Sequence, residues 1–181
     1  MANPVDMTEY RTMAENALRA SRATGGRRVV SNRGPEHARA VTDVLVTSAD
    51  HHLSFLCGYF SSDIFDAGKT REFLDGPGAQ MSVLLDRKPD AAHRSALADL
   101  ASYMLGDDPK LRVRRLEHPA KVHFGIADER DVRIETDTES RKATVVFGDP
   151  VVARSAARKF KSLWDAAVPV QPQELGVPAI R

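Results

Sequence analysis

Lys121-Val-His-Phe-Gly-Ile-Ala-Asp128 decides how this chain is read. Val122, Phe124 and Ile126 alternate with Lys121, His123 and Gly125, the period of a half-buried strand. Residues two apart on a strand share a face, so the spacing directs Lys121 and His123 toward one pocket. Asp128 closes the run, and a second strand-like run, Asp131-Val-Arg-Ile-Glu135, follows at once. Two cations on one face with a carboxylate behind them suit the binding of an anion. Arg133 and Glu135 alternate in the same way and read as an exposed salt bridge, which contributes little.

Working outward, the first half alternates helices and strands. Asp6-Met-Thr-Glu9 is a capping signal, and Tyr10, Met13, Ala14, Ala17 and Leu18 follow at helical spacing until Gly25-Gly26. Arg27–Val30 reads as a short strand. Gly34-Pro35 opens a helix with Ala38, Val41, Val44, Leu45 and Ala49 inward. Leu53–Phe60 and Ala79–Leu85 are apolar strands. Between them, Ser61-Ser62-Asp63 reads as the cap of a helix running to Leu74. Pro89-Asp90 starts a helix carrying Leu97, Leu100, Ala101 and Met104 on one face. Then Leu111–Leu116, Val122–Ala127, Val132–Glu135 and Ala143–Phe147 come as four strands without helices between them. Asp149 at N-cap and Pro150 at N1 begin the last helix. Its core face is Val152, Ala156, Phe160, Leu163, Trp164 and Ala167, while Arg154, Arg158 and Lys161 lie on another, solvated face. The tail from Pro169 has three prolines and no period, and reads as extended coil.

Alternation implies parallel pairing through crossovers, and consecutive strands imply antiparallel hairpins. The expectation is an α/β fold with a mixed parallel/antiparallel sheet flanked by helices. It divides into an N-terminal helical segment (1–27), one α/β domain (28–168) and the tail (169–181).

The order of these elements resembles one half-domain of the phospholipase D superfamily. The resemblance spans roughly residues 28–168. It rests on Gly58-Tyr-Phe-Ser-Ser62 after the first buried strand, Phe160-Lys-Ser-Leu-Trp164 in the last helix, and the Lys121-x-His123-x4-Asp128 strand between them. The family motif is His-x-Lys-x4-Asp, so the spacing is kept and the two basic residues are exchanged. The stretch Ser31-Asn-Arg33 through Phe60 is similar to modules attached to bacterial DNA helicases and restriction systems.

In that family the histidine attacks phosphorus, the lysine binds phosphate oxygens, and a second motif copy supplies the acid. The resemblance therefore places Lys121, His123 and Asp128 in the catalytic positions, with Arg133 and Arg114 as further phosphate contacts. An ammonium at its ordinary pKa is protonated and does not attack. The Gly-Ser-x-Asn turn expected after the motif is also missing, since Arg133-Ile-Glu-Thr136 follows instead. Both departures point to a catalytically altered or inactive module that binds phosphodiesters, nucleic acid or a protein partner. The alternative is a homodimeric phosphodiesterase or nuclease using His123 from each subunit. A single copy in 181 residues implies a homodimer in either case.

Composition sets limits around this reading. Hydrophobic residues make up 42% and charged residues 28%. These proportions are those of a soluble globular chain. The net charge of +1 creates no global field for a polyanion. A local basic face built from Arg27, Arg28, Arg33, Arg112, Arg114 and Arg115 would serve nucleic acid instead. Aromatic residues make up 6%, which disfavours a base-stacking platform. Cys57 is the only cysteine, which excludes an internal disulfide and a multi-cysteine zinc site. No metal or cofactor motif is present, no apolar run is long enough for a bilayer, and the start has no signal-peptide pattern. A cytoplasmic location without membrane contact is the expectation.

Overall fold

A computed structural model describes residues 7–87 and 95–175. Eight strands form one sheet: β1 (Arg28–Asn32), β2 (His52–Cys57), β3 (Gln80–Leu85), β4 (Leu111–Arg115), β5 (His123–Ala127), β6 (Asp131–Asp137), β7 (Lys142–Phe147) and β8 (Val168–Pro169). Their spatial order is β1-β7-β6-β5-β2-β3-β4-β8. β2, β3 and β4 run parallel, because helical segments carry the chain back between them. The remaining pairings are antiparallel, as the closely spaced strand runs of the second half imply.

Helices cover both faces. On one side lie α1 (Met7–Thr24), α2 (Pro35–Ser48), α3 (Ala67–Asp75) and a 3-10 segment, Ala98–Met104. They pack Tyr10, Val41, Leu45, Leu74 and Leu97 on Phe55, Val83 and Phe147. On the other side α4 (Pro150–Ala166) is the one helix among the described residues. It packs Ala153 and Phe160 on Leu56, Leu84, Phe124, Ile126 and Val132. Alternate strand residues feed the two cores, as pleating requires.

Several expectations needed correction. Ser61-Ser62-Asp63 does not cap a helix. Asp66 does, accepting from the Gly68 and Lys69 amides. Phe60 lies outside β2, in a turn with φ 53°. Met13 is solvent-exposed, so the buried stripe of α1 is narrower than its periodicity suggests. The expected helix start at Pro89-Asp90 and the Asp6 cap lie outside the described residues, and Ala98–Met104 is 3-10. The tail is not coil throughout. Val168–Pro169 pairs with β4, and Pro172–Leu175 is a 3-10 turn that buries Leu175. The cap of α4 is as read, with Asp149 accepting from the amides of Val151 and Val152.

Candidate functional site

The motif strand begins at His123, not at Lys121. Lys121 is exposed in the bend before β5, and the pleat that would have put it beside His123 has not begun there. The sequence-predicted pair is therefore not assembled.

His123 is 4% exposed. Register places it directly across from Glu135, and Gly125 across from Arg133, so all four share the face beneath α2. Asp86, at the end of β3, reaches the same imidazole. His123 Nε2 lies 2.9 Å from Asp86 Oδ2 and His123 Nδ1 lies 3.3 Å from Glu135 Oε1. Two ionised carboxylates on one ring are both satisfied only when the ring carries two protons, so the arrangement is that of an imidazolium held between two anions.

The titration shifts agree with the geometry. Burial works to lower the His123 pKa, but the hydrogen bonds to Asp86 and Glu135 outweigh it, and the net direction is upward. Burial works to raise that of Glu135, but His123 and Arg133 hold it below the usual carboxylate range.

The network extends further. Glu135 Oε2 accepts from Arg133 Nη2, and Arg141 Nη1 stands 3.9 Å from Oε1. Asp86 Oδ2 also accepts from the Ala120 amide, which anchors the loop ahead of β5. Asp86 Oδ1 and Arg133 Nε are buried without a hydrogen-bond partner in the protein. Gly58 backs onto the pair, because a Cβ there would lie 3.8 Å from Asp86 Oδ1 and 3.9 Å from His123 Cε1. Thr42, Cys57, His123, Arg133, Glu135 and Arg141 are among the residues that line a cavity of about 20 Å³. That volume suits about one water molecule. Burial pushes the Cys57 thiol up to about 12, so it is not a nucleophile.

The expected exposed Arg133–Glu135 bridge is thus a buried one. Neither residue type nor alternation distinguishes the two cases, and only the register of β6 against β5 does. Asp86 carries a weak signal in the sequence, an acid ending an apolar strand.

Asp128 and Arg114 serve elsewhere. Asp128, in the left-handed region with φ 49°, accepts from the amides of Asp50, His51 and His52 at 2.7–3.0 Å. Burial works to raise its pKa, and the three amides hold it low. It ties the hairpin between β5 and β6 to the start of β2, at the opposite end of β5 from His123. Arg114 donates to the Trp164 carbonyl at 2.8 Å and lies over the Trp164 ring, 5.0 Å from its centroid. It caps the C-terminal end of α4. No group of three or more histidine, cysteine or acidic side chains among the described residues is placed to hold a metal ion.

No family model matches the chain, and no curated protein matches its sequence. Solved structures do match its shape. One is TrmBL2, an archaeal chromatin protein whose structure shows a novel mode of DNA binding. The TM-score is 0.63 at 19% identity, over 91% of this chain and 64% of that one. A second is Nuc, a phospholipase D family member from Salmonella typhimurium, at TM-score 0.61 and 15% identity, over 81% of this chain and 99% of that one. The fold is phospholipase-D-like. NucT from Helicobacter pylori superimposes at TM-score 0.58 and 13% identity, over 80% of this chain and 100% of that one. This phospholipase-D-like chain spans 64% of TrmBL2, and at these identities the likeness concerns the fold alone. No helix among the described residues is long and apolar enough to cross a membrane.

Proposed function

We propose that this phospholipase-D-like chain binds nucleic-acid phosphodiesters without cleaving them, as one part of a DNA-linked system. One observation carries the reading: both nitrogens of His123 are engaged by buried carboxylates. An in-line attack on phosphorus needs an imidazole with a free lone pair facing the substrate. Here the ring is nearly sealed from solvent, and a space of about 20 Å³ does not admit a phosphodiester. Lys121, at the position equivalent to the family's histidine, is an exposed amine outside the strand. The same facts weigh against a dimeric nuclease built on His123.

The likeness to TrmBL2, a chromatin protein that binds DNA, supports nucleic acid over a protein partner. The test is a pair of assays on one preparation. Incubation with a chromogenic phosphodiester and with single- and double-stranded DNA, in chelator, should give no turnover. Fluorescence anisotropy with labelled DNA at ~50 mM salt should show sequence-insensitive binding that weakens steeply as salt rises. Turnover in chelator that His123→Ala abolishes would restore the nuclease. Absence of any DNA binding by folded protein would refute the binding half.

A further inference from the structure

The exposed face of α4 carries a charge pattern that conflicts with its own fold. Arg154, Ser155, Arg158, Lys159, Lys161, Ser162 and Asp165 point to solvent. Lys161 is paired with Asp165 at 2.8 Å. Arg154, Arg158 and Lys159 have no hydrogen bond or ion pair among the described residues.

One feature of this pattern opposes helix stability. Arg154 and Arg158 are four apart, and Arg158 and Lys161 three apart, so each pair brings like charges together on one face. The chain has net charge +1, so this concentration does not follow from a basic composition. The Arg154–Arg158 pair costs stability with no compensating contact among the described residues, which marks a surface shaped for something else.

The fold presents this face openly. Among the described residues α4 has no other helix on its side of the sheet, so its outer surface is a ridge. Arg154 to Lys161 spans about 10 Å along the axis at about 1.5 Å per residue. At the N-terminal end the row runs into an open recess of about 560 Å³ that Arg22, Arg130 and Arg154 line together with Asp128 and Glu129, and there Arg22 and Arg130 are paired with Asp131 and Asp128 while Arg154, among the described residues, is not. Ser155 and Ser162 lie between the cations and supply short hydroxyl donors. Arginine, lysine and serine donors on a convex ridge suit the oxygens of a phosphate backbone.

We infer that the α4 ridge is the nucleic-acid contact surface, with Arg154, Arg158 and Lys161 on successive phosphates and Lys159 beside them. The inference rests on the nucleic-acid reading above and moves the contact away from the closed His123 site. Binding through such a row is insensitive to base sequence, because no side chain in it is committed to a base edge.

The test uses the full chain and a labelled 20-base-pair duplex, read by anisotropy from 50 to 300 mM salt. Arg154→Glu with Arg158→Glu should weaken binding by more than about tenfold at ~50 mM salt. Arg154→Ala with Arg158→Ala should flatten the slope of log K against log salt by about 2, from the loss of two phosphate contacts. Arg154→Lys with Arg158→Lys should keep that slope. Circular dichroism and melting report that each variant is folded, and Arg19→Glu on α1 with Arg71→Glu on α3 is the control that matches the change in net charge. A duplex bound equally well by the glutamate variant would overturn the ridge and leave the nucleic-acid reading in place. Failure of the unaltered chain to bind any duplex would overturn both. Tighter binding to polyglutamate than to the duplex would assign the ridge to an acidic protein partner and overturn the inference.

Discussion

Replacing His123 with alanine removes a cation from between two buried carboxylates. Breaking a buried ion pair by removing one partner costs about 3–5 kcal/mol, mostly because the other charge is left uncompensated. Here the lower end applies. Glu135 keeps Arg133, and Asp86 keeps the Ala120 amide. A loss of about 3 kcal/mol is expected, and at about 2–4 °C per kcal/mol for a chain of this size the midpoint should fall by about 6–12 °C.

The dependence on pH has a defined sign. The pKa of His123 is raised in the folded state. Its stabilisation is therefore fully present below the unfolded value of about 6.5 and is lost as pH rises through the folded value. The gap between the two proteins should be widest near pH 6 and narrow toward pH 9. Urea unfolding at pH 6, 7.5 and 9 measures it. A variant melting within ~1 °C of the unaltered chain at pH 6, or a gap that widens with alkali, would show that His123 is not held as a cation.

Other substitutions probe the rest of the site. Asp128→Ala deletes the acceptor for three amides and should cost about 2–3 kcal/mol at pH 7. Because the folded pKa of Asp128 is lowered, the unaltered chain should lose that advantage as pH falls below about 4, seen as converging melting curves. Glu129 occupies the left-handed region at φ 49°. Glycine adopts that region without penalty, so Glu129→Gly should stabilise by about 1 kcal/mol, and an unchanged or lower midpoint would refute this. Gly125→Ala would set a Cβ 2.5 Å from Phe55 Cε1. It should destabilise by about 1–3 kcal/mol, and denaturant titration reads the change.

Local chemistry made much of the fold legible. The switch from alternating elements to consecutive strands marks where parallel pairing gives way to hairpins. Asp149-Pro150 names the start of α4 because a cap acts within one turn. The site was less legible, since its parts come together by register. Nothing within Arg133-Ile-Glu135 says that these charges are buried; pairing β6 against β5 puts Glu135 opposite His123. The misplacement of Lys121 has the same origin. Two residues share a face only where the strand exists, and the chain bends until His123. The contact of Arg114 with the C-terminal end of α4 is not legible either, because nothing in the sequence brings that helix end above β4.

The two-residue strand β8 decides how this sheet can meet others. It occupies the β4 side, and Pro169 brings no amide to offer outward. Val170 adds a further bond to Val113, so that border is finished off by the chain itself. Among the described residues, the border at β1 has a strand on its inner side alone. A sheet with one usable border can join once and stop, giving a closed pair. A sheet with two can add copies without limit. Cutting the chain after Ala167 would turn the first kind of molecule into the second, and fibrous aggregation rather than simple unfolding is the failure such a truncation should show.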